Sequence, residues 1–321
     1  MLQQFFLTLF FSTIGTSAAD FQGSILTIET EKPAFSLDSA TLKPVKNPTY
    51  IAPVIHASSA LAFDIGSETI LYEKNIHEPR NMGSITKLMT AMVILDNHGL
   101  DEIVTISLDP NQIAGSKVWL YKNEQLTVAD LLEAALIPSG NDAAVALATF
   151  DAGSEVLFVD KMNKKAEEIG LSQTHFGNST GFDSFNNVST AYDIMQLARS
   201  ALTYDFIKKT VATSEKTIRS HNGKIAHKLE TTNELLNNTA YRVKGMKTGT
   251  TPGAGPSFVG LIEDDFGHEI LTVILNSPDR FQETKVIFEW TVQAYRWPHP
   301  LVPLKGGTPI HRKWRRDGTS P

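Results

Sequence analysis

Apolar positions recur along this chain with two periods, and polar punctuation divides them into short elements. Ser59-Ala60-Leu61-Ala62-Phe63-Asp64 and Thr69-Ile70-Leu71-Tyr72 are strand-like runs, and Ile65-Gly66-Ser67-Glu68 between them predicts a hairpin. After Asn81-Met82-Gly83, apolar Leu88, Met89, Met92, Val93 and Leu95 follow helical spacing, which places Ser84 and Lys87 in the first turn of a helix. A Thr-x-x-Asp cap at Thr127 opens a helix through Leu136, and Pro138 stops it. Ser139-Gly140-Asn141 forms a turn, and Asp142 to Ala148 starts the next helix. Ser154 to Ile169 is amphipathic and closed by Gly170, and Ser189-Thr190 caps a helix through about Ala201. Ser257 to Ile262 and Ile270 to Leu275 are strand-like around an acidic turn containing Gly267, and a last helix runs from about Phe281 to Tyr295. Leu100 to Gln125 alternates short apolar runs with turn residues, and Thr210 to Asn238 gives little periodicity.

The ends follow other patterns. Residues 1–19 carry no charged side chain, and their run Phe5 to Phe11 is too short to span a bilayer. With Ser17-Ala18-Ala19 as a cleavage site they are expected to be a signal peptide, making the protein exported, periplasmic or extracellular. Because no Lys or Arg precedes the apolar run, an uncleaved anchor stays open. Residues 20–57, broken by Pro33, Pro44, Pro48 and Pro53, read as a linker or extended arm, so one domain is expected over 58–298. Residues 299–321 form a basic tail. Its His311-Arg312-Lys313-Trp314-Arg315-Arg316 is a solvated end or a weak contact for anionic wall polymer or membrane.

A net charge of −6 speaks against general nucleic-acid binding. The absence of cysteine excludes disulfides, thiolate metal sites and a lipidated cysteine. The histidines lack metal-ligand spacing, so neither metal nor cofactor is expected. Gly245 to Gly255 is glycine-dense, yet its Lys-Thr pair precedes most of the glycines and no P-loop signature leads into it. A strand whose Gly249 lets a ligand approach the backbone fits better.

Three polar motifs carry candidate chemistry. Three residues apart on a helix, with a rise of about 4.5 Å, Ser84 and Lys87 share a face as nucleophile and base. A free lysine, with a pKa of about 10.4, needs about 4 to 5 kcal/mol from its surroundings to be half neutral at pH 7. Desolvation and a second cation can supply it. Taken alone, Ser-x-x-Lys also describes an N-cap and a surface lysine, and Ser139-Gly140-Asn141 describes ordinary helix capping.

Ser84-x-x-Lys87, Ser139-Gly140-Asn141 and Lys247-Thr248-Gly249 together, in that order, resemble the active-site serine penicillin-recognising enzymes. Gly140 in the middle motif is similar to the low-molecular-weight penicillin-binding proteins. The match is closer still to the D-alanyl-D-alanine carboxypeptidases, through Pro138 to Ala144, Gly181-Phe182 with Ser189-Thr190-Ala191, Thr232 to Leu236, and Gly245 to Gly249. The resemblance covers about Ser58 to Trp297. It implies an α/β (α+β) fold of the β-lactamase/transpeptidase type, an antiparallel sheet flanked by helices with an all-helical lobe. It also implies peptidoglycan stem peptides as substrate and β-lactams as covalent inhibitors.

Carried over by position, Ser84 attacks the penultimate D-alanine carbonyl, Lys87 is its base and Ser139 relays the proton to the departing D-alanine. Asn141 holds Lys87 and the substrate amide. Lys247 supplies the second cation, Thr248 binds the terminal carboxylate, and Gly249 lies in the same strand motif. Backbone N–H groups of Ser84 and Thr250 form the oxyanion hole, worth about 3 to 4 kcal/mol per donor. Arg280-Phe281 resembles the family's carboxylate-recognising pair, or is a solvated arginine at a helix start. Thr250 stands where several relatives carry histidine, which leaves deacylation and substrate preference open. With the chain ending at Pro321, the β-rich second domain and membrane helix of larger carboxypeptidases are not expected.

Three readings compete with carboxypeptidase action. A class A β-lactamase needs Glu-x-x-Leu-Asn and usually Ser-Asp-Asn, both missing here, so penicillin is expected to acylate Ser84 and leave slowly. An endopeptidase cutting D-alanyl cross-links shares the acyl half of the substrate. A non-catalytic penicillin or wall-binding sensor would need the same motifs.

Overall fold

The structure, a computed structural model, describes residues 43–184 and 186–298. The expected signal peptide over 1–19, the first part of the arm and the basic tail lie outside the described residues. In chain order the main elements are β1 (Ser59–Asp64), β2 (Thr69–Lys74), α1 (Lys87–Asn97), α2 (Val128–Leu136) and α3 (Asn141–Ala152). There follow α4 (Glu155–Glu168), α5 (Ala191–Ala201), α6 (Asp205–Val211), β3 (Glu215–Arg219), β4 (Ala226–Glu230), β5 (Arg242–Gly249), β6 (Ser257–Glu263), β7 (Glu269–Leu275) and α7 (Arg280–Ala294).

The central sheet is antiparallel with strand order β5-β6-β7-β1-β2. Every residue of β1 is buried, because helices cover both faces. Strand alternation sends Ala60 and Ala62 into a layer with Ile270, Ile274 and, from α7, Ile287 and Phe288. Leu61 and Phe63 point the other way, into the core shared with Ile85, Leu88, Ile194 and Leu197. That larger core continues into the lobe where α1, α2, α3 and α4 pack on one another. The fold class expected from the motifs is the one observed.

Local signals explain most helix ends. Thr127 accepts from the Asp130 N–H at 3.0 Å while the Asp130 carboxylate accepts from the Thr127 N–H at 3.2 Å, a reciprocal cap for α2. Ser154 and Thr190 cap α4 and α5 by the same side-chain-to-amide bond. Pro138 and a left-handed Ser139, at φ 67°, turn the chain between α2 and α3. The sequence reading began α3 at Asp142; Asn141 is its first residue.

Two stretches differ from the sequence reading. The packed chain begins before Ser58. Val45 and Lys46 pair with Arg296 and Tyr295, Ile55 and Ala57 are buried, and the His56 and Ala57 amides donate to the buried Glu283 carboxylate. Thr210 to Asn238 holds the hairpin β3–β4, whose alternation is thin because only Ile218, His227 and Leu229 of its strands are buried. Among the described residues no helix is long and apolar enough to cross a membrane.

Candidate active site

Ser84 lies in a 3-10 turn, Gly83–Thr86, that runs into α1 at Lys87. With three residues per turn, positions i and i+3 eclipse, so the two side chains sit closer in line than an α-helical turn would put them. Lys87 is fully buried and Ser84 half-buried. Lys87 Nζ is 2.8 Å from Ser84 Oγ, 2.6 Å from Asn141 Oδ1 and 2.8 Å from the Thr180 carbonyl oxygen. The Asn141 amide nitrogen donates to the Ala114 carbonyl at 2.7 Å, which turns its oxygen toward the lysine. A neutral amine has two N–H groups, enough for Asn141 Oδ1 and Thr180 O, and one lone pair left to accept the Ser84 hydroxyl proton. Burial holds the Lys87 pKa well below the ordinary lysine range, and the positive charge of Lys247 lowers it further against the opposing pull of Asp142.

The second amine comes from the sheet. Lys247, on β5, is 1% exposed and donates to Ser139 Oγ at 2.8 Å and to the Thr248 carbonyl at 3.2 Å. Burial, then the Arg280 charge, pushes its pKa down to about 7. Thr248 Oγ1 bonds to Thr232 Oγ1. Arg280, at the start of α7, donates to the Gly249 carbonyl at 3.1 Å, Thr250 Oγ1 at 2.5 Å and the Ser257 carbonyl at 3.3 Å. It is therefore tied to the end of β5, and the alternative of a solvated helix-start arginine does not hold.

Backbones meet where these elements join. A Cβ on Gly249 would lie 2.7 Å from the Met82 carbonyl oxygen and 3.3 Å from Ser84 N, so only glycine lets β5 reach the nucleophile turn. A Cβ on Gly83 would lie 3.2 Å from Thr250 N, which brings the amides of Ser84 and Thr250 onto adjoining segments. Gly181 closes the third side: with φ 79°, its Cβ would stand 1.9 Å from the Gly83 carbonyl oxygen. The structure thus brings Ser84, Lys87, Ser139, Asn141, Lys247, Thr248, Gly249, Thr250 and Arg280 to one junction of helical lobe and sheet.

The sequence profile of the S11 peptidases, D-alanyl-D-alanine carboxypeptidase, matches residues 46–279. The chain belongs to this family. It is 38% identical over 200 residues to D-alanyl-D-alanine carboxypeptidase DacF of Bacillus subtilis, covering 61% of this chain and 51% of DacF. It is 34% identical over 264 residues to DacD of Escherichia coli, covering 76% of this chain and 65% of DacD. The chain thus spans about half to two thirds of the length of these relatives. The crystal structure of the Streptomyces K15 DD-transpeptidase superposes with a TM-score of 0.71 at 30% identity, covering 76% of this chain and 99% of that one.

Several residues of this S11 peptidase's site escaped the sequence reading. The Thr180 and Ala114 carbonyls hold Lys87 and Asn141, and a carbonyl has no signature in sequence. Thr232 and Asp142 stand in the family-like stretches of the sequence with no role of their own assigned. Buried, Asp142 accepts from the Val118 and Leu120 amides, both at 3.1 Å, and so ties the loop before α2 to α3. A groove of about 850 Å³, lined by residues 107–113 and 119–122, opens on that loop. Among the described residues no three His, Asp or Glu side chains group as a metal site requires.

Proposed function

We propose that this S11 peptidase is a serine-type D-Ala-D-Ala carboxypeptidase that trims the terminal D-alanine from peptidoglycan stem peptides and is acylated by β-lactams. The observation that carries the reading is the placement of Lys87 Nζ, buried and 2.8 Å from Ser84 Oγ, where burial and the Lys247 charge favour the neutral amine that can take the hydroxyl proton.

Ser84 Oγ attacks the carbonyl of the penultimate D-alanine while Lys87 takes its proton. The oxyanion is held by the N–H groups of Ser84 and Thr250. The C–N bond breaks, the departing D-alanine amine receives a proton through Ser139, and an ester to Ser84 remains. Water then attacks that ester, releasing the shortened peptide and restoring the hydroxyl. Lys247, Thr248 and Arg280 hold the terminal carboxylate, and Asn141 holds both Lys87 and the substrate amide. Export and a mature catalytic domain over 58–298, with the packed arm ahead of it, complete the proposal. The carboxypeptidase names of DacF and DacD support the reaction class, as does the K15 DD-transpeptidase structure.

The test is incubation with a muropeptide pentapeptide and, separately, a cross-linked dimer, with mass spectrometry of the products. Loss of one alanine from the pentapeptide is expected. Monomerisation of the dimer without that loss identifies an endopeptidase, and neither product identifies a sensor.

A further inference from the structure

Beside the active-site junction, residues 118–124 form a braced segment that carries two large exposed rings. Trp119 is 56% and Tyr121 59% exposed. The Val118 and Leu120 amides converge on the Asp142 carboxylate. The Tyr121 amide donates to Glu124 Oε2 at 3.0 Å, while the buried His227 lies 2.8 Å from Glu124 Oε1 and 3.2 Å from the Val118 carbonyl. Between the two amides that converge on this carboxylate, Trp119 stands in the left-handed region, at φ 61°. Glycine or asparagine takes that conformation at least cost, and a bulky L-residue is strained in it. A tryptophan more than half exposed returns little core packing for that strain, so its use lies outside the molecule.

The groove beside the rings indicates what they meet. Ser107, Asn111 and Gln112 line it, and the carboxylate of Asp109 is already bonded to the amide and side chain of Asn111. Lys117 stands 4.3 Å from the Trp119 ring centroid and donates to the Pro110 carbonyl. Lys122 is a further cation on the lining, and Lys117, already engaged by the Pro110 carbonyl, covers one face of the Trp119 ring. Mostly neutral hydrogen-bonding groups beside the remaining aromatic faces match a ligand with apolar C–H faces and a rim of hydroxyl and amide groups, rather than a polyanion, which would call for a cluster of cations.

We propose that Trp119 and Tyr121 seat the glycan strand to which the stem peptide is attached, with N-acylated hexosamine rings stacking on their exposed faces. This deepens the carboxypeptidase reading and rests on it for the identity of the polymer. An extended acyl arm of four residues spans about 14 Å. Trp119 is flanked by two residues bonded to Asp142, the chain neighbour of Asn141, which itself touches the base. The bracing by Asp142, Glu124 and His227 presents the rings already ordered, so little freedom is lost when a sugar arrives.

Trp119→Gly is the test variant, because it removes the ring and relaxes the left-handed backbone, so the fold is retained. Peptide-free glycan strands are titrated by calorimetry into Ser84→Ala protein with and without Trp119→Gly. Binding by the first, weakened at least tenfold in the second, is expected. In active protein, Trp119→Gly raises KM for a glycan-linked pentapeptide about tenfold. It leaves kcat, hydrolysis of the free pentapeptide and penicillin acylation within twofold of the parent. No glycan binding by Ser84→Ala protein overturns the proposal, as does an equal loss on all substrates, which would make the segment a support for Asn141. If the parent releases no D-alanine from any substrate, the carboxypeptidase reading fails by that result, while the glycan titration still decides this one.

Discussion

Lys247→Met should make the protein more stable while disabling it, and the size of the gain follows from burial. A lysine whose pKa falls from the ordinary 10.5 to about 7 on folding must give up, in the native state, protons that the unfolded chain keeps. Integrated over that shift, the folded state is penalised by about 5 kcal/mol at acid pH, about 4 at pH 7 and about 1 at pH 9.5. The sign is that of a depressed cation: the unfolded chain binds more protons between the two pKa values, so parent stability rises with pH across that window. Methionine has similar length and no charge. Against the relief stand two lost hydrogen bonds, to Ser139 Oγ and the Thr248 carbonyl, at about 1 kcal/mol each. A net gain of about 2 kcal/mol at pH 7 remains, or about 4 to 8 °C in Tm for a domain of this size. Removing the Lys247 charge also relaxes the depression on Lys87, which adds in the same direction. Urea denaturation of both proteins at pH 7 and 9.5 is the assay. The parent should gain about 3 kcal/mol more than the variant between the two, a difference in which the lost hydrogen bonds cancel. Parallel stability curves would show that Lys247 carries no strained proton and would sink the electrostatic account of the site.

Ser84→Ala is expected to abolish covalent labelling by fluorescent penicillin with Tm close to the parent's; residual labelling on a gel would move the nucleophile elsewhere. Lys87→Ala should fold, as circular dichroism can verify, and acylate at least 10²-fold more slowly; labelling at the parent rate rules it out as base. The pH profile of kcat/KM should fall on the acid side as Lys87 takes a proton. It should fall on the alkaline side as Lys247, pushed down to about 7 in the free site, loses the charge that binds carboxylate; rates flat from pH 5 to 9 contradict both. Gly181→Ala places a methyl 1.9 Å from the Gly83 carbonyl and must part the segments carrying Ser84 and the Thr180 carbonyl. Stopped-flow acylation should slow by more than tenfold, and an unchanged rate would mean the junction tolerates widening.

What the sequence made legible are features that a few side chains decide locally. Thr127 with Asp130 caps α2 whatever lies around it, and β6 and β7 read as strands because continuous apolar runs leave no other use for their side chains. The arm from residue 43 was harder: its burial rests on isolated residues, Ile55 and Ala57, and on amides that meet Glu283 from far along the chain. Hairpin β3–β4 was hidden by polar residues on its open face. In the site, reactive side chains announced themselves through motif spacing. The groups that orient them did not, since every residue has a carbonyl and only the fold selects those of Thr180 and Ala114.

The spacing of the middle motif has a structural explanation in the two lysines. Pro138 ends α2, a left-handed Ser139 reverses the chain, and Asn141 opens α3. Ser139 Oγ meets the sheet lysine and Asn141 Oδ1 meets the helix lysine, so residues two apart each hold one amine and the turn bridges the lobes. Gly140 between them is forced. Its Cβ would stand 2.8 Å from the Ala134 carbonyl oxygen and 3.2 Å from Asp142 Oδ1. The space that the aspartate of a Ser-Asp-Asn motif would enter is therefore shared here with the carboxylate of Asp142. That carboxylate reaches back to brace Val118 and Leu120, so a charge two residues further on fixes the loop against the helix that carries Asn141. On this account Gly140 and Asp142 form a pair: refilling position 140 displaces the carboxylate, and with it the loop whose Ala114 carbonyl turns Asn141 toward the base.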